Sequence, residues 1–170
     1  MKNHDQHKNL TIEAVDFDDV DRYEDLSADQ RRFLRLYAAS REDAVEGSLP
    51  ALDADAMVEL SDDIRGQSNA VLRDDEGKIV AVVSYDLNRP SGAFLEGLAV
   101  DPSVRRSGYG RTLAAYAIDQ IATAGFVEAA LRSQPSSLVA NQRLVDSLGY
   151  EAKTSDDAHY PKMIVYLKSK

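Results

Sequence analysis

The chain has 170 residues, 44% of them hydrophobic, with 29 acidic and 20 basic residues and a formal net charge of -9. This length suits one hydrophobic core rather than two, so we predict a single domain over residues 1–170 with a flexible tail at 1–9. The absence of cysteine excludes disulfides, thiolate metal sites and a thiol nucleophile. Because no apolar stretch resembles a signal peptide or a membrane span, we expect a cytoplasmic protein.

The negative charge is confined to the first part of the chain. Residues 1–66 hold 17 acidic and 8 basic residues and therefore the whole net charge, whereas residues 67–170 hold 12 of each. An acidic surface repels nucleic acid phosphates and anionic membranes, so we expect neither as a partner. It favours cationic partners, although acidic helices also serve solubility alone.

Hydrophobic periodicity predicts a mixture of helices and strands in the order βααβββαβαββ. The predicted strands lie at 10–15, 68–73, 78–87, 93–100, 127–133 and 163–167, with one more that opens at 149–150. The predicted helices lie at about 26–37, 53–64, 108–124 and 136–148. Short turns join the three strands between residues 68 and 100, which predicts an antiparallel meander. The whole order predicts a mixed α/β sheet packed with helices.

The segment Leu98–Arg111 joins a predicted strand end to a predicted helix start. Free backbone N–H groups and the helix dipole make such a junction an anion site. Gly108 and Gly110 let a phosphate approach the backbone, and three arginines between residues 105 and 111 add positive charge. The third glycine of a dinucleotide-binding fingerprint and the Gly-Lys-Ser/Thr of a P-loop are both absent. We therefore predict a pyrophosphate cradle of another type.

The run Arg105-Arg106-Ser107-Gly108-Tyr109-Gly110 resembles the Q/R-x-x-G-x-G/A acyl-CoA motif of the GNAT acetyltransferases. As in that family, it follows a strand that ends in Val-Asp-Pro, and Ala124-Gly125-Phe126 and Leu148-Gly149-Tyr150 are similar to two later family motifs. The resemblance covers residues 10–167 and is specific over 94–150. It implies the GNAT fold, a splayed mixed sheet of six or seven strands flanked by about four helices. It also implies acetyl-CoA as co-substrate, no metal, and acetyl transfer to an amine.

The resemblance implies a role for each residue of this segment. The pantetheine arm would lie between the fourth and fifth strands, against the backbone of Leu98, Ala99 and Val100. The Leu98 N–H would donate to the thioester oxygen, where stabilising the developing charge is usually the largest effect in acyl transfer. The pyrophosphate would be held by the cradle residues Arg105, Arg106, Ser107, Gly108, Tyr109, Gly110 and Arg111.

Glu96 is the predicted general base. Direct attack on a thioester needs a neutral amine, and free alkylamines have a pKa of about 10, so a group must take the amine proton. Period-two alternation places Phe94, Glu96, Leu98 and Val100 on one face, which gives Glu96 apolar neighbours. The alternative is a glutamate directed to solvent past a bulge near Gly97.

The general acid departs from the family pattern. Many relatives have a tyrosine four residues before the Gly-Tyr pair, and this chain has Val145 there. Asn141, one helical turn before it, is assigned to a pantetheine amide, with a plain polar helix residue as the alternative. We expect Tyr150 in the core rather than as an acid. His159 and Tyr160 lie in a predicted loop and are a weaker alternative for the acid.

In relatives the first helices wall the acceptor side of the cleft, and in this chain that region carries the net negative charge. We therefore expect a cationic acceptor such as a polyamine, an amino-sugar, or the amine of a peptide or protein. The rival hypothesis is a catalytically silent acyl-CoA-binding regulatory module, because Val145 replaces the tyrosine. A homodimer through the last strands stays open. His4 and His7 belong to the predicted tail without a third ligand nearby, so no metal site is predicted.

Overall fold

The computed structural model describes residues 9–40, 49–132, 138–155 and 162–167. These residues form seven strands and four α-helices. Their bounds are β1 Thr11–Ala14, α1 Ala28–Ala38, α2 Ala54–Ile64, β2 Ser68–Arg73, β3 Ile79–Asp86, β4 Ala93–Val100, α3 Tyr109–Thr123, β5 Glu128–Arg132, α4 Leu138–Ser147, β6 Glu151–Thr154 and β7 Lys162–Tyr166. The strands build one mixed sheet in the order β1-β2-β3-β4-β5-β7-β6. This architecture confirms the predicted fold class.

Every neighbouring pair in the sheet is antiparallel except β4–β5, which is parallel. The predicted meander of β2, β3 and β4 is therefore confirmed. Gly77, with φ +78°, turns the chain between β2 and β3. A left-handed residue in such a turn favours glycine. None of the described helices is long and apolar enough to cross a membrane.

Local capping sets the starts of the first two helices. The Ser27 hydroxyl accepts from the Gln30 N–H at 3.1 Å, and the Gln30 side chain accepts from the Ser27 N–H at 2.8 Å. This reciprocal capping box satisfies two N–H groups that the helix leaves unbonded. Asp53 caps α2 by accepting from the Ala56 N–H at 2.8 Å. The two caps fix where the helices begin against the sheet.

Apolar side chains cover both faces of the central strands. Leu113, Ile118 and Ile121 of α3 are buried in a cluster on one face. Phe33 of α1 and Met57 of α2 are buried in a second cluster on the other. Burying one such side chain stabilises the fold by about 1.5–3 kcal/mol. β4 is therefore held from both faces.

A β-bulge interrupts β4. Ser84 and Tyr85 of β3 pair with Gly97 and Leu95, which leaves Glu96 as the extra residue of β4. A bulge of this kind bends the strand and changes which side chains share a face. The bulge that the alternative placed near Gly97 is therefore present, but the Glu96 side chain is only 8% exposed and is not directed to solvent.

The bulge separates side chains that alternation alone would place together. Leu98 and Val100 pack against the α3-side cluster to which Leu95 belongs. Phe94 precedes Leu95 and so lies on the opposite face. The prediction that Phe94, Glu96, Leu98 and Val100 share one face is therefore wrong.

β4 and β5 part after three paired residues. Their parallel register runs from Ala93 opposite Ala129 to Leu95 opposite Leu131. Within the described ranges, residues 96–100 have no β5 partner, so this part of β4 presents an open backbone edge. Such an edge carries unpaired N–H and C=O groups that an extended ligand can bind.

Candidate active site

A cavity of about 450 Å³ lies where the open edge of β4 meets the start of α3. Its size falls in the range of small-molecule sites. The lining residues are Ala39, Leu98, Ala99, Val100, Arg105, Arg106, Ser107, Gly108, Tyr109, Gly110 and Arg111. The fold thus brings together all the residues predicted to contact acetyl-CoA except Asn141. It adds Ala39, from the end of α1, for which no sequence pattern predicted a role.

The first turn of α3 forms the anion-binding end of this cavity. Gly108 is the N-cap with φ +80°, and its carbonyl accepts the first helical hydrogen bond, from the Thr112 N–H at 3.0 Å. The N–H groups of Gly110 and Arg111 precede that bond, at the positive end of the helix dipole. A Cβ on Gly108 would have no heavy atom within 4 Å. The position is open to a phosphate group.

The three arginines of the cradle differ in their partners. Arg105 and Arg106 are exposed, and neither has an acidic partner within the described part of the chain. Arg111 donates from Nη2 to the Ser147 carbonyl at 2.9 Å and from Nε to the Ser147 hydroxyl at 3.3 Å. Arg111 therefore also ties α3 to the end of α4. Its contact with a pyrophosphate stays a prediction.

Asp101 anchors the start of the cradle loop. Its carboxylate accepts from the Ser103 N–H at 2.9 Å and the Ser103 hydroxyl at 2.8 Å, and it pairs with Arg32 of α1. Burial alone would raise the pKa of Asp101, but the Ser103 hydrogen bonds and the Arg32 guanidinium outweigh burial and lower the pKa to about 2. The ionised carboxylate therefore stabilises the folded chain at neutral pH.

We expect Asp101→Asn to lower the free energy of unfolding at pH 7 by about 2 kcal/mol, at about 1.4 kcal/mol per pKa unit. The folded pKa lies below the ordinary value of 3.8. The contribution is therefore complete above about pH 5 and is lost as the pH falls toward 2. Urea unfolding of both proteins at pH 7, 5 and 3 should show the difference shrink by roughly half at pH 3. A difference independent of pH would show that the charge is not responsible.

Glu96 lies at the fork where β5 leaves β4, and its side chain is 8% exposed. Its Oε1 accepts from Nη2 of Arg89, a residue of the turn between β3 and β4. The same guanidinium pairs through Nε with Asp86 at 3.2 Å and lies 4.6 Å from the ring centroid of Phe94. Glu96 therefore has a cationic partner in addition to Phe94, whereas alternation predicted only apolar neighbours.

Sequence reasoning missed Arg89. The residue stands in the turn Asn88-Arg89-Pro90-Ser91-Gly92, which was predicted only as a connection between two strands. The local signal was the spacing of three residues between Asp86 and Arg89, which form an ion pair. The contact with Glu96, seven residues away, depends on the packing at the start of β4.

The chain matches the family model described as Acetyltransferase (GNAT) family over residues 24–150. It is a member of the GNAT acetyltransferase family. The match spans more than half of the chain and includes the β4 edge, the cradle and α3. No curated protein sequence matches the chain.

Solved structures with the same fold cover nearly the whole chain. The acetyl-CoA complex of yncA from Salmonella typhimurium is 18% identical, with a TM-score of 0.62, and the match covers 95% of this chain and 94% of that one. A variant of spermidine N-acetyltransferase SpeG from Vibrio cholerae is 16% identical, with a TM-score of 0.66 and 95% of each chain covered. A ribosomal-protein alanine N-acetyltransferase from Escherichia coli is 20% identical, with a TM-score of 0.62 and coverage of 93% and 92%. At these identities the likeness is one of fold.

The cavity fits acetyl-CoA, the co-substrate of GNAT enzymes. A pyrophosphate needs positive charge and free N–H donors, which Arg105, Arg106 and the first turn of α3 provide. The pantetheine arm is extended and carries amides, which suit the open edge of β4 at residues 96–100. The described residues contain no cluster of three or more metal-ligating side chains.

The GNAT tyrosine position is occupied by a core residue. Val145 is 1% exposed and belongs to the α3-side cluster. Tyr150 is partly buried and packs against the same cluster, in agreement with the prediction of a core aromatic. Asn141 lies on α4, from which no described residue lines the cavity, so its contact with pantetheine stays a prediction. The predictions for His4, His7, His159 and Tyr160 concern residues outside the described ranges.

Proposed function

We propose that the chain is an acetyl-CoA-dependent N-acetyltransferase that moves the acetyl group directly from the CoA thioester to a primary amine. One observation carries this proposal: the cavity joins an open strand edge to a positively charged helix start in a GNAT chain. One end of the cavity suits pyrophosphate and the other suits pantetheine. The thioester would then lie beside β4, near Glu96.

In this proposal the residues of the chain have separate tasks. The cradle at 105–111 binds the pyrophosphate, and the β4 edge orients the pantetheine arm. The Leu98 N–H donates to the thioester oxygen, a type of hydrogen bond whose loss costs about 3–4 kcal/mol of transition-state stabilisation. Glu96 accepts the proton that the amine loses as it attacks, directly or through water. Bound acetyl-CoA supplies the activated acyl group.

The acceptor we propose is cationic: a polyamine, an amino-sugar, or a peptide or protein amine. Asp55, Glu59, Asp62 and Asp63 of α2 are all exposed, and α2 packs on the sheet face opposite α3. An acidic surface of this kind raises the local concentration of cations. Two proteins of the same fold are a spermidine and a ribosomal-protein alanine N-acetyltransferase, and both act on amines.

The test is a thiol-release assay with acetyl-CoA and a panel of polyamines, amino-sugars, amino acids and short peptides. We expect turnover with a cationic amine, with a KM that rises as salt is added, because screening weakens attraction to the acidic surface. Turnover that prefers neutral or acidic amines would contradict the cationic acceptor.

The second candidate function is a regulatory module that binds acyl-CoA without catalysis. The observation that favours it is that a buried valine, Val145, stands at the position where the family has its acid tyrosine. Such a module would bind acetyl-CoA in calorimetry but release no thiol with any amine of the panel.

A further inference from the structure

Four side chains form a cluster at the fork of β4 and β5: Asp86, Arg89, Phe94 and Glu96. Glu96 and Asp86 have side chains that are 8% and 15% exposed, and they share the single guanidinium of Arg89, which is 34% exposed. The guanidinium also lies over the ring of Phe94, with Cζ of Arg89 4.6 Å from the ring centroid, which is a cation–π contact. The proposed mechanism uses Glu96 and leaves Arg89 without a task.

Arg89 contacts the two carboxylates through different nitrogen atoms. Nη2 binds Glu96, whereas Nε binds Asp86 at 3.2 Å. The turn that carries Arg89 is itself fixed, by the Gly92 N–H on the Arg89 carbonyl at 3.1 Å and the Asn88 N–H on Asp86 at 2.9 Å. The bond to Glu96 can therefore break while Asp86 and Phe94 still hold the guanidinium.

A Glu96 carboxylate that is not paired with Arg89 can activate water when acetyl-CoA is bound without an acceptor, and that water can hydrolyse the thioester. Glu96 lies two residues before Leu98 on β4, so their Cα atoms are about 7 Å apart. In the proposed complex one water molecule lies between the Glu96 carboxylate and the thioester beside Leu98. If Glu96 took a proton from that water, the water oxygen would bond to the carbonyl carbon and the C–S bond would break. The sulfur would take a proton from solvent, giving acetate and free CoA. The donor would be lost to hydrolysis.

We propose that Arg89 is a positioning residue that holds Glu96 in an ion pair until the acceptor arrives and thereby suppresses this hydrolysis. The inference rests on the proposed function, because it needs acetyl-CoA in the cavity. A cationic amine competes with Nη2 for the carboxylate of Glu96, and the guanidinium stays on Asp86. The same competition selects for acceptors that bring positive charge.

The test measures thiol release from acetyl-CoA in the absence of any amine. Arg89→Gln should raise this rate about tenfold, a part of the effect that a positioned general base exerts. The double variant Arg89→Gln with Glu96→Gln should return to the wild-type rate. Arg89→Lys keeps the positive charge but lacks the separate guanidinium nitrogens that bind both carboxylates. Its rate should therefore lie between those of wild type and Arg89→Gln. The lysine variant also serves if the glutamine variant folds poorly.

A matched control is available at Arg73. Like Arg89, it binds two carboxylates through Nε and Nη2, those of Glu13 at 2.9 Å and Asp29 at 2.5 Å. It lies in β2 and contributes nothing to the cavity lining. Arg73→Gln therefore removes an ion-pair network of the same connectivity, though with more exposed carboxylates, and should leave amine-independent thiol release unchanged.

Two further measurements separate this inference from the proposed function. Calorimetry should give all Arg89 variants wild-type acetyl-CoA affinity. In urea unfolding, the losses of unfolding free energy in Arg89→Gln and Glu96→Gln should not add up to the loss in the double variant, because the two residues interact. Unchanged hydrolysis in Arg89→Gln with normal acetyl-CoA binding would overturn the inference alone, as would a rise that persists without Glu96. A wild-type chain that binds no acetyl-CoA would refute the proposed function as well.

Discussion

Glu96→Gln is expected to lower the rate of amine acetylation at neutral pH by about 10²- to 10³-fold, the usual contribution of a general base. Glutamine has the size of glutamate and keeps an oxygen that accepts from Arg89, but it cannot take the amine proton. Acetyl-CoA affinity should stay within about twofold of wild type, because the residue contributes nothing to the cavity lining. Steady-state kinetics with the best amine of the panel and calorimetry with acetyl-CoA measure the two quantities.

The pH dependence distinguishes a base from a structural residue. Amines have a pKa of about 10, so the neutral form that attacks the thioester increases as the pH rises. The rate difference between wild type and Glu96→Gln should therefore narrow between pH 7 and pH 9.5. Glu13→Gln is the control, since Glu13 also pairs with an arginine but lies in β1. Equal rates for wild type and Glu96→Gln at pH 7 would leave Glu96 as a partner of Arg89 only.

Local patterns predicted the elements and the cradle well. β4 has the predicted bounds of 93–100, and α2, predicted at about 53–64, spans Ala54–Ile64 with Asp53 as its cap. The cradle was recognisable because its glycines and arginines lie within one short stretch of chain, where a strand end leads into a helix. Features set by neighbouring residues can be predicted from a sequence in this way.

The bulge in β4, which decides where Glu96 points, was predicted only as an alternative near Gly97, because its cause is a contact with a distant part of the chain. A Cβ on Gly97 would lie 2.6 Å from Cε2 of Tyr37 and 2.9 Å from the Ser40 hydroxyl. The end of α1 therefore approaches β4 so closely that only glycine fits at position 97. The sequence places Tyr37 and Gly97 far apart. Their contact exists only once α1 has packed on the sheet.

The long-range partners of the arginines were equally hidden. Arg32 meets Asp101, and Arg111 meets the carbonyl of Ser147, across long stretches of chain. Each arginine could have been matched with many acids or carbonyls, and the sequence offers no rule for choosing among them. The packing of α1 and α4 against the cradle makes the choice.

Gly108→Trp is expected to weaken acetyl-CoA binding at least about 100-fold, equivalent to about 2.8 kcal/mol. Gly108 has φ +80°, and a Cβ there would have no heavy atom within 4 Å, so an indole would extend into the space that we assign to pyrophosphate. The same open space means that the indole meets no core side chain. The fold should therefore lose only the cost of a left-handed non-glycine residue, about 1–2 kcal/mol. Calorimetry and urea unfolding measure the two effects.

Gly77→Trp provides the control that separates strain from blockage. Gly77 has φ +78° and equally open surroundings, but it lies in the turn between β2 and β3. Both tryptophan variants should lose the same stability, and only Gly108→Trp should lose acetyl-CoA. Gly108→Ala adds the backbone strain with little bulk, and we expect its acetyl-CoA affinity to lie between those of wild type and Gly108→Trp. If the two tryptophan variants bound acetyl-CoA equally well, the start of α3 would not be the pyrophosphate cradle, and Arg105 and Arg106 would need another explanation.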